Sequence, residues 1–168
     1  MDIDIIAEGN AMQDELLKLR RYFHENPERS WEEKNTQKKI MEYLDQLGIP
    51  YIESCGTGVI ATIRGKHSSD KVLGIRADID ALPITELSDV AWKSRREGTM
   101  HACGHDTHIT MLLGTAKLLK KMEDELRITV RLLFQPAEEC IENSGAARMK
   151  DEAEVLECDR LIAMHIWS

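Results

Sequence analysis

The stretch Arg127-Ile128-Thr129-Val130-Arg131-Leu132-Leu133-Phe134-Gln135-Pro136-Ala137-Glu138-Glu139 decides how the rest of the chain is read. Residues 127–134 form a strongly apolar run that reads as a strand. Gln135-Pro136-Ala137 ends that strand, and two adjacent carboxylates follow. Paired acidic residues usually mean only a charged, solvated surface. Here they fall at the carboxyl end of an apolar strand, which is where open α/β sheets bind their ligands.

Outward from this strand, helical and extended patterns alternate. Leu16, Leu17, Leu19, Tyr22 and Phe23 recur at near-helical spacing over residues 12–24, and Asn26-Pro27 ends that helix. Ser30-Trp31-Glu32-Glu33 has the spacing of a capping box and opens a second helix through Ile40, Met41, Tyr43 and Leu44 to Gly48. Extended runs at 58–63 and 71–77, joined by the turn residues 65–70, predict a hairpin. A helix over 107–121, a short helix over 145–150 and a strand over 160–163 complete an α/β pattern, taken as one domain spanning residues 1–168.

The polar residues cluster along that alternation. Asp78 and Asp80 follow the strand that ends near Ala77, Glu138 and Glu139 follow the strand quoted above, and His165 follows the strand that ends near Ala163. Cys103 and His105 sit just before a helix, in the run His101-Ala102-Cys103-Gly104-His105-Asp106. In an extended segment residues two apart share a side, so Cys103 and His105 can face one centre. A thiolate, imidazoles and a carboxylate are ligands for zinc-like ions, and a second carboxylate beside them can serve as a base toward water. Neighbouring glutamates diverge in direction, so one can ligate while the other meets the water. One of Asp78 and Asp80 is expected to orient a ligand imidazole. A purely structural zinc site has no use for a spare glutamate and two aspartates at the same rim. His101 is expected to pack or hydrogen-bond, His24 to be structural, and His108 to face either the site or solvent.

Composition bounds the partners. A net charge of -8 over 168 residues argues against nucleic acid, which requires a clustered basic face. The run Lys93-Ser94-Arg95-Arg96 reads as a solvated loop. No apolar run approaches the roughly 18 residues of a membrane span, and Met1-Asp2-Ile3-Asp4 lacks the basic start of a secretory signal, so no membrane partner and a cytoplasmic location are expected. Cys55, Cys103, Cys140 and Cys158 are too few and too scattered for a disulfide framework and are expected to be free thiols.

Four segments resemble the signature stretches of the N-acyl-amino-acid amidohydrolases, the group of hippurate hydrolases and plant indole-acetyl-amino-acid hydrolases within the aminoacylase and carboxypeptidase metallopeptidase superfamily. They are residues 74–83 (Gly-Ile-Arg-Ala-Asp-Ile-Asp-Ala-Leu-Pro), 100–108 around Cys103-Gly104-His105-Asp106, 133–139 ending in Glu138-Glu139, and Met164-His165-Ile166-Trp167. The resemblance implies that Cys103 bridges two metal ions, that His105, Glu139 and His165 are further ligands, and that Glu138 is the general base toward a metal-activated water. It implies a divalent metal cofactor (zinc, manganese, cobalt or nickel), two ions in the full-length family and one or none in this chain. It further implies a three-layer α/β sandwich with a mixed sheet between helices, and a small N-acyl amino acid or peptide as substrate.

By the same resemblance the chain is the amino-terminal, truncated portion of such an enzyme. The family's inserted dimerisation domain and carboxyl-terminal part are then missing, and the isolated chain is expected to be inactive or weakly active. The alternative is a non-catalytic, metal-binding remnant. Surface uncovered by truncation would favour a homo-oligomer. Cys140-Ile141-Glu142-Asn143-Ser144 departs from the glycine-rich loop typical of the family at this position.

Overall fold

The computed structural model describes residues 3–166, so Met1-Asp2 and Trp167 of the fourth signature segment lie outside the described residues. Helix α1 (Ile5–Ala11) is capped by Asp4, whose carboxylate accepts the Ile6 and Ala7 amides at 3.0 Å each. Helix α2 (Gln13–Glu25) buries Leu19, Phe23 and His24 along one stripe. Helix α3 (Lys34–Leu47) turns Ile40, Tyr43 and Leu44 inward and stops at Gly48, whose φ of 64° suits a residue without a Cβ.

The capping box predicted ahead of α3 does not form. Ser30 Oγ donates instead to Asp80 Oδ2 at 2.7 Å, and the buried Glu33 carboxylate accepts Thr57 Oγ1 at 2.7 Å and the Ala137 amide at 2.8 Å. Both side chains of the motif are spent on long-range contacts, and the first turn of α3 is capped by Glu28 instead, whose Oε2 accepts the Thr36 amide at 2.8 Å.

Strands β1 (Tyr51–Ser54), β2 (Gly58–Arg64), β3 (Val72–Asp78), β4 (Thr129–Gln135) and β5 (Arg160–Ala163) form one sheet in the order β1-β2-β4-β3-β5. β1, absent from the sequence reading, makes the true hairpin with β2 through Cys55 and Gly56, both at positive φ. The predicted hairpin between 58–63 and 71–77 is wrong, because β4 lies between those strands, antiparallel to β2 and parallel to β3. The segment thought to be a tight turn steps across the start of β4: the Gly65 amide donates to Ile128 O and the Ser69 amide to Arg127 O.

Helix α4 (His105–Lys121) carries the chain from β3 to β4, and the short helices α5 (Gly145–Met149) and α6 (Ala153–Leu156) carry it from β4 to β5. α2, α3 and α4 pack on one face of the sheet around Phe23, Leu44, Ile63, Ile109, Leu113 and Phe134. The opposite face has a smaller cluster, Ile60, Leu133 and Met149, with Val155 against it. The result is a mixed sheet between helical layers, as expected, with the second layer thin. β3, β4 and β5 are mutually parallel, so Asp78, Gln135 and Ala163 all end on one rim. β5 is an edge strand whose four residues are all exposed. Among the described residues no helix is long and apolar enough to cross a membrane.

Candidate metal centre

Each rim residue is held by its own piece of local structure. The glutamate pair leaves β4 through Pro136 and Ala137, the latter at a φ of 48°. Two buried carboxylates then fix that loop by its backbone: Glu33 takes the Ala137 amide, and Asp80 Oδ2 takes the Glu139 amide at 3.0 Å. Cys103 and His105 are brought together by a different route from the extended segment expected. Gly104 adopts a φ of 83° as the N-cap of α4, and His105 is the first residue of that helix.

His105 is buried, and its Nδ1 donates to the main-chain oxygen of Asp80 at 2.9 Å, with Asp80 Oδ1 at 3.3 Å. That bond fixes the tautomer, leaving the Nε2 lone pair directed at the rim. Nε2 has no hydrogen-bond partner, although Asp78 Oδ1 lies 3.6 Å away and Glu138 Oε2 and Glu139 Oε1 each lie 3.8 Å away. Glu139 Oε1 is likewise buried without a partner. Unpaired buried polar atoms are costly, and two that face each other beyond hydrogen-bonding distance fit a cation between them.

Cys103 Sγ lies 3.4 Å from His165 Nε2, whose ring turns its Nδ1 to Ile166 O at 2.5 Å. Three groups of potential ligands share His105: Cys103, His105 and His165; His105, Glu138 and Glu139; and Asp78, His105 and His108, with the ligand atoms of each group within 4.8 Å of one another. A thiolate, two imidazoles and two carboxylates are a donor set suited to borderline-soft divalent ions. Burial, followed by the charges of Glu139 and Glu138, pushes the Cys103 thiol up to about 11. A dication there reverses that balance, since a coordinating thiol is deprotonated outright. Burial alone would lower His105, but Asp80 and the charge of Asp78 outweigh it and raise its pKa.

The remaining candidates occupy distinct places. Asp80 serves His105 chiefly through its main chain, while the carboxylate of Asp78 pairs with His108 at 2.5 Å and with Arg76 at 2.7 Å. Burial opposes ionisation of both aspartates, yet their imidazole and hydrogen-bond partners hold both below the usual range. His108 therefore faces the site. His101 is buried with neither ring nitrogen hydrogen-bonded, and burial pushes it down to about 4.

His24 lies one layer behind, its two nitrogens 2.7 Å from Asp106 Oδ2 and 3.1 Å from Glu86 Oε1. Asp106 and Glu86 only accept, which favours the imidazolium, while Arg20 Nη2, a donor, stands 3.3 Å from the same Nδ1 and opposes it. Arg95 and Arg96 lie exposed in a loop, as read from the sequence, and also pair with Glu25 at 2.5 Å and Glu28 at 3.2 Å. All four cysteines are free and partly buried. Sequence reasoning missed Glu33 because its spacing from Ser30 imitates a cap; its complete burial has no local signature.

Residues 74–168 match the family model described as Peptidase family M20/M25/M40. Thermostable carboxypeptidase 2 of Saccharolobus solfataricus is 45% identical over 159 residues, which cover 94% of this chain and 40% of that protein. N-acetylcysteine deacetylase of Bacillus subtilis is 47% identical over 148 residues, covering 87% of this chain and 38% of that protein. Among solved structures, a Bacillus subtilis protein described as a dinuclear metal binding peptidase from the M20 family superposes with a TM-score of 0.86 at 44% identity. That match covers 94% of this chain and 44% of the other. The chain thus spans well under half the length of these relatives.

Proposed function

The chain belongs to peptidase family M20/M25/M40, and from that premise we propose that it is the partial catalytic domain of a metal-dependent hydrolase acting on the amide bond of N-acyl amino acids or short peptides. The observation that carries this reading is the buried, unpartnered Nε2 of His105 facing the equally unpartnered Oε1 of Glu139, with Cys103 and His165 alongside. A carboxypeptidase and an N-acetylcysteine deacetylase both cut an amide whose nitrogen belongs to an amino acid with a free carboxylate, which is the substrate class proposed here.

Cys103, His105, Glu139 and His165 are the residues that would hold one or two divalent ions. When bound, such an ion supplies Lewis acidity toward a carbonyl and toward water. Glu138 is the more exposed of the pair, with its side chain 37% accessible against 24% for Glu139, and is proposed as the base. Its carboxylate takes the proton of the attacking water and returns it to the leaving nitrogen as the amide bond breaks. Asp80 keeps His105 in the tautomer that ligation requires. The free thiols support a cytoplasmic location as part of the same reading.

Ligands and a base do not complete an amidohydrolase. Oxyanion donors and a pocket for the substrate carboxylate are left to the part of the relatives that this chain does not span, and losing one oxyanion donor costs roughly 10²–10³ in rate. The chain alone is therefore expected to bind cobalt, manganese or zinc but to hydrolyse N-acetyl amino acids at or near background. Elemental analysis after reconstitution should find bound metal, strongly reduced in Cys103→Ala and in His105→Ala. No bound metal in the folded wild type defeats this reading. Robust turnover that disappears on chelation and in Glu138→Gln would show that the chain needs nothing further.

A further inference from the structure

His108 is a buried titratable group at this rim that the proposed chemistry does not use. Its Nδ1 lies 2.5 Å from Asp78 Oδ1, and its Nε2 lies 3.0 Å from the main-chain nitrogen of Ile166. A main-chain amide only donates and an ionised carboxylate only accepts. The tautomer assigned by these partners has the proton on Nδ1, toward Asp78, and the lone pair on Nε2, toward Ile166. Asp78 is in turn anchored by Arg76. Asp78, His105 and His108 are close enough to be a ligand group themselves. However, 2.5 Å between Asp78 and His108 is a hydrogen-bond length, shorter than the ~3 Å or more separating two ligands on bonds of about 2.0–2.2 Å to one ion.

The amide that His108 grips belongs to the residue after His165. The side chain of the same residue is seated on Gly104, where a Cβ would stand 2.3 Å from Ile166 Cδ1. The rings of His108 and His165 meet at a centroid separation of 4.6 Å. His165 itself is exposed and follows an edge strand, so its direction depends on what holds the next residue. We infer that His108 is a positioning residue for His165: held by Asp78, it latches the Ile166 amide and so sets where the His165 imidazole points. The role rests on the metal-centre reading of this rim, whereas the latch exists without an ion.

Two measurements keep these apart. In metal-free protein, hydrogen exchange at the Ile166 amide should accelerate in His108→Leu and stay near wild type in His108→Gln, whose Oε1 can take the acceptor position. Unchanged exchange in the leucine variant overturns the latch. In competition with a chromophoric chelator for cobalt(II), His108→Leu should weaken metal binding by about 10–100-fold, yet cost nothing further in a His165→Ala background. Equal losses in both backgrounds make His108 a general structural residue and overturn the positioning role. If the wild-type chain takes up no cobalt while the exchange result holds, the metal-centre reading fails and the latch is supported.

Discussion

The main-chain oxygen of Asp80 decides which nitrogen of His105 reaches the rim, and no side-chain pattern in the sequence announces it. Cys103, His105, Glu138, Glu139 and His165 are legible because their types are rare together and each lies next to a strand end or helix start. The groups that aim them are not legible, since Glu33 to Ala137 and His108 to Ile166 join residues far apart in the chain through a backbone amide. His24 gives the residue scale its pH test. Its hydrogen bond to Asp106 raises its pKa, against burial, which lowers it, and Glu86 adds to the rise. A raised imidazole stabilises the fold fully below the ordinary value of 6.5, and that contribution is lost as pH climbs through the raised one. His24→Ala should therefore cost about 3–5 kcal/mol near pH 6, as expected for breaking a buried pair, and distinctly less near pH 9. Urea unfolding of both proteins at the two pH values measures the difference, and an equal gap at each would contradict the imidazolium assignment.

At the scale of elements, helix and strand positions follow the apolar periodicity closely. α2 is displaced by one residue from its predicted span, and α4 starts two residues earlier than predicted. Pairing is where local pattern fails. Residues 58–63 and 71–77 look like neighbours because a turn-rich segment joins them, but the strand that satisfies both is β4, far along the chain. Glu33 shows the same limit. It reads as half of a helix cap and acts as a buried clamp on the glutamate loop. Hydrogen bonds to a charged group contribute about 1.5–3 kcal/mol each, so Glu33→Ala, which removes two, should destabilise the fold by about 3–6 kcal/mol and also weaken metal binding, because Ala137 is released. Ser30→Ala should not act as the loss of an α3 cap; its effect should appear at Asp80. Chemical denaturation alongside metal titration distinguishes the two, and a Glu33→Ala protein with unaltered metal affinity would remove Glu33 from the site's support.

For the whole molecule, the uneven covering of the sheet governs behaviour in solution. Leu161 and Ile162 of β5 are 55% and 51% exposed, and Met164 just beyond is 64% exposed. An apolar edge strand with an unpaired backbone row invites pairing with another chain. The 168-residue chain should accordingly self-associate with rising concentration in analytical ultracentrifugation, and Leu161→Lys with Ile162→Lys should shift it toward monomer; a wild type monomeric at all concentrations would contradict this. The opposite edge strand, β1, has the same four-residue length but exposes a single large apolar side chain, Ile52, with Glu53 beside it. The strand order has a kinetic meaning as well. β1 and β2 stand on one side of β4, and β3 and β5 on the other, so every ladder joining the two halves runs through residues 129–135. A nascent chain that has emerged only as far as α4 holds a lone hairpin and an unpaired strand, with an open lane one strand wide between them. Closing so distant a contact is slow, and until β4 enters that lane Ile60, Ile63 and Ala77 wait in water for the partner that makes them a core.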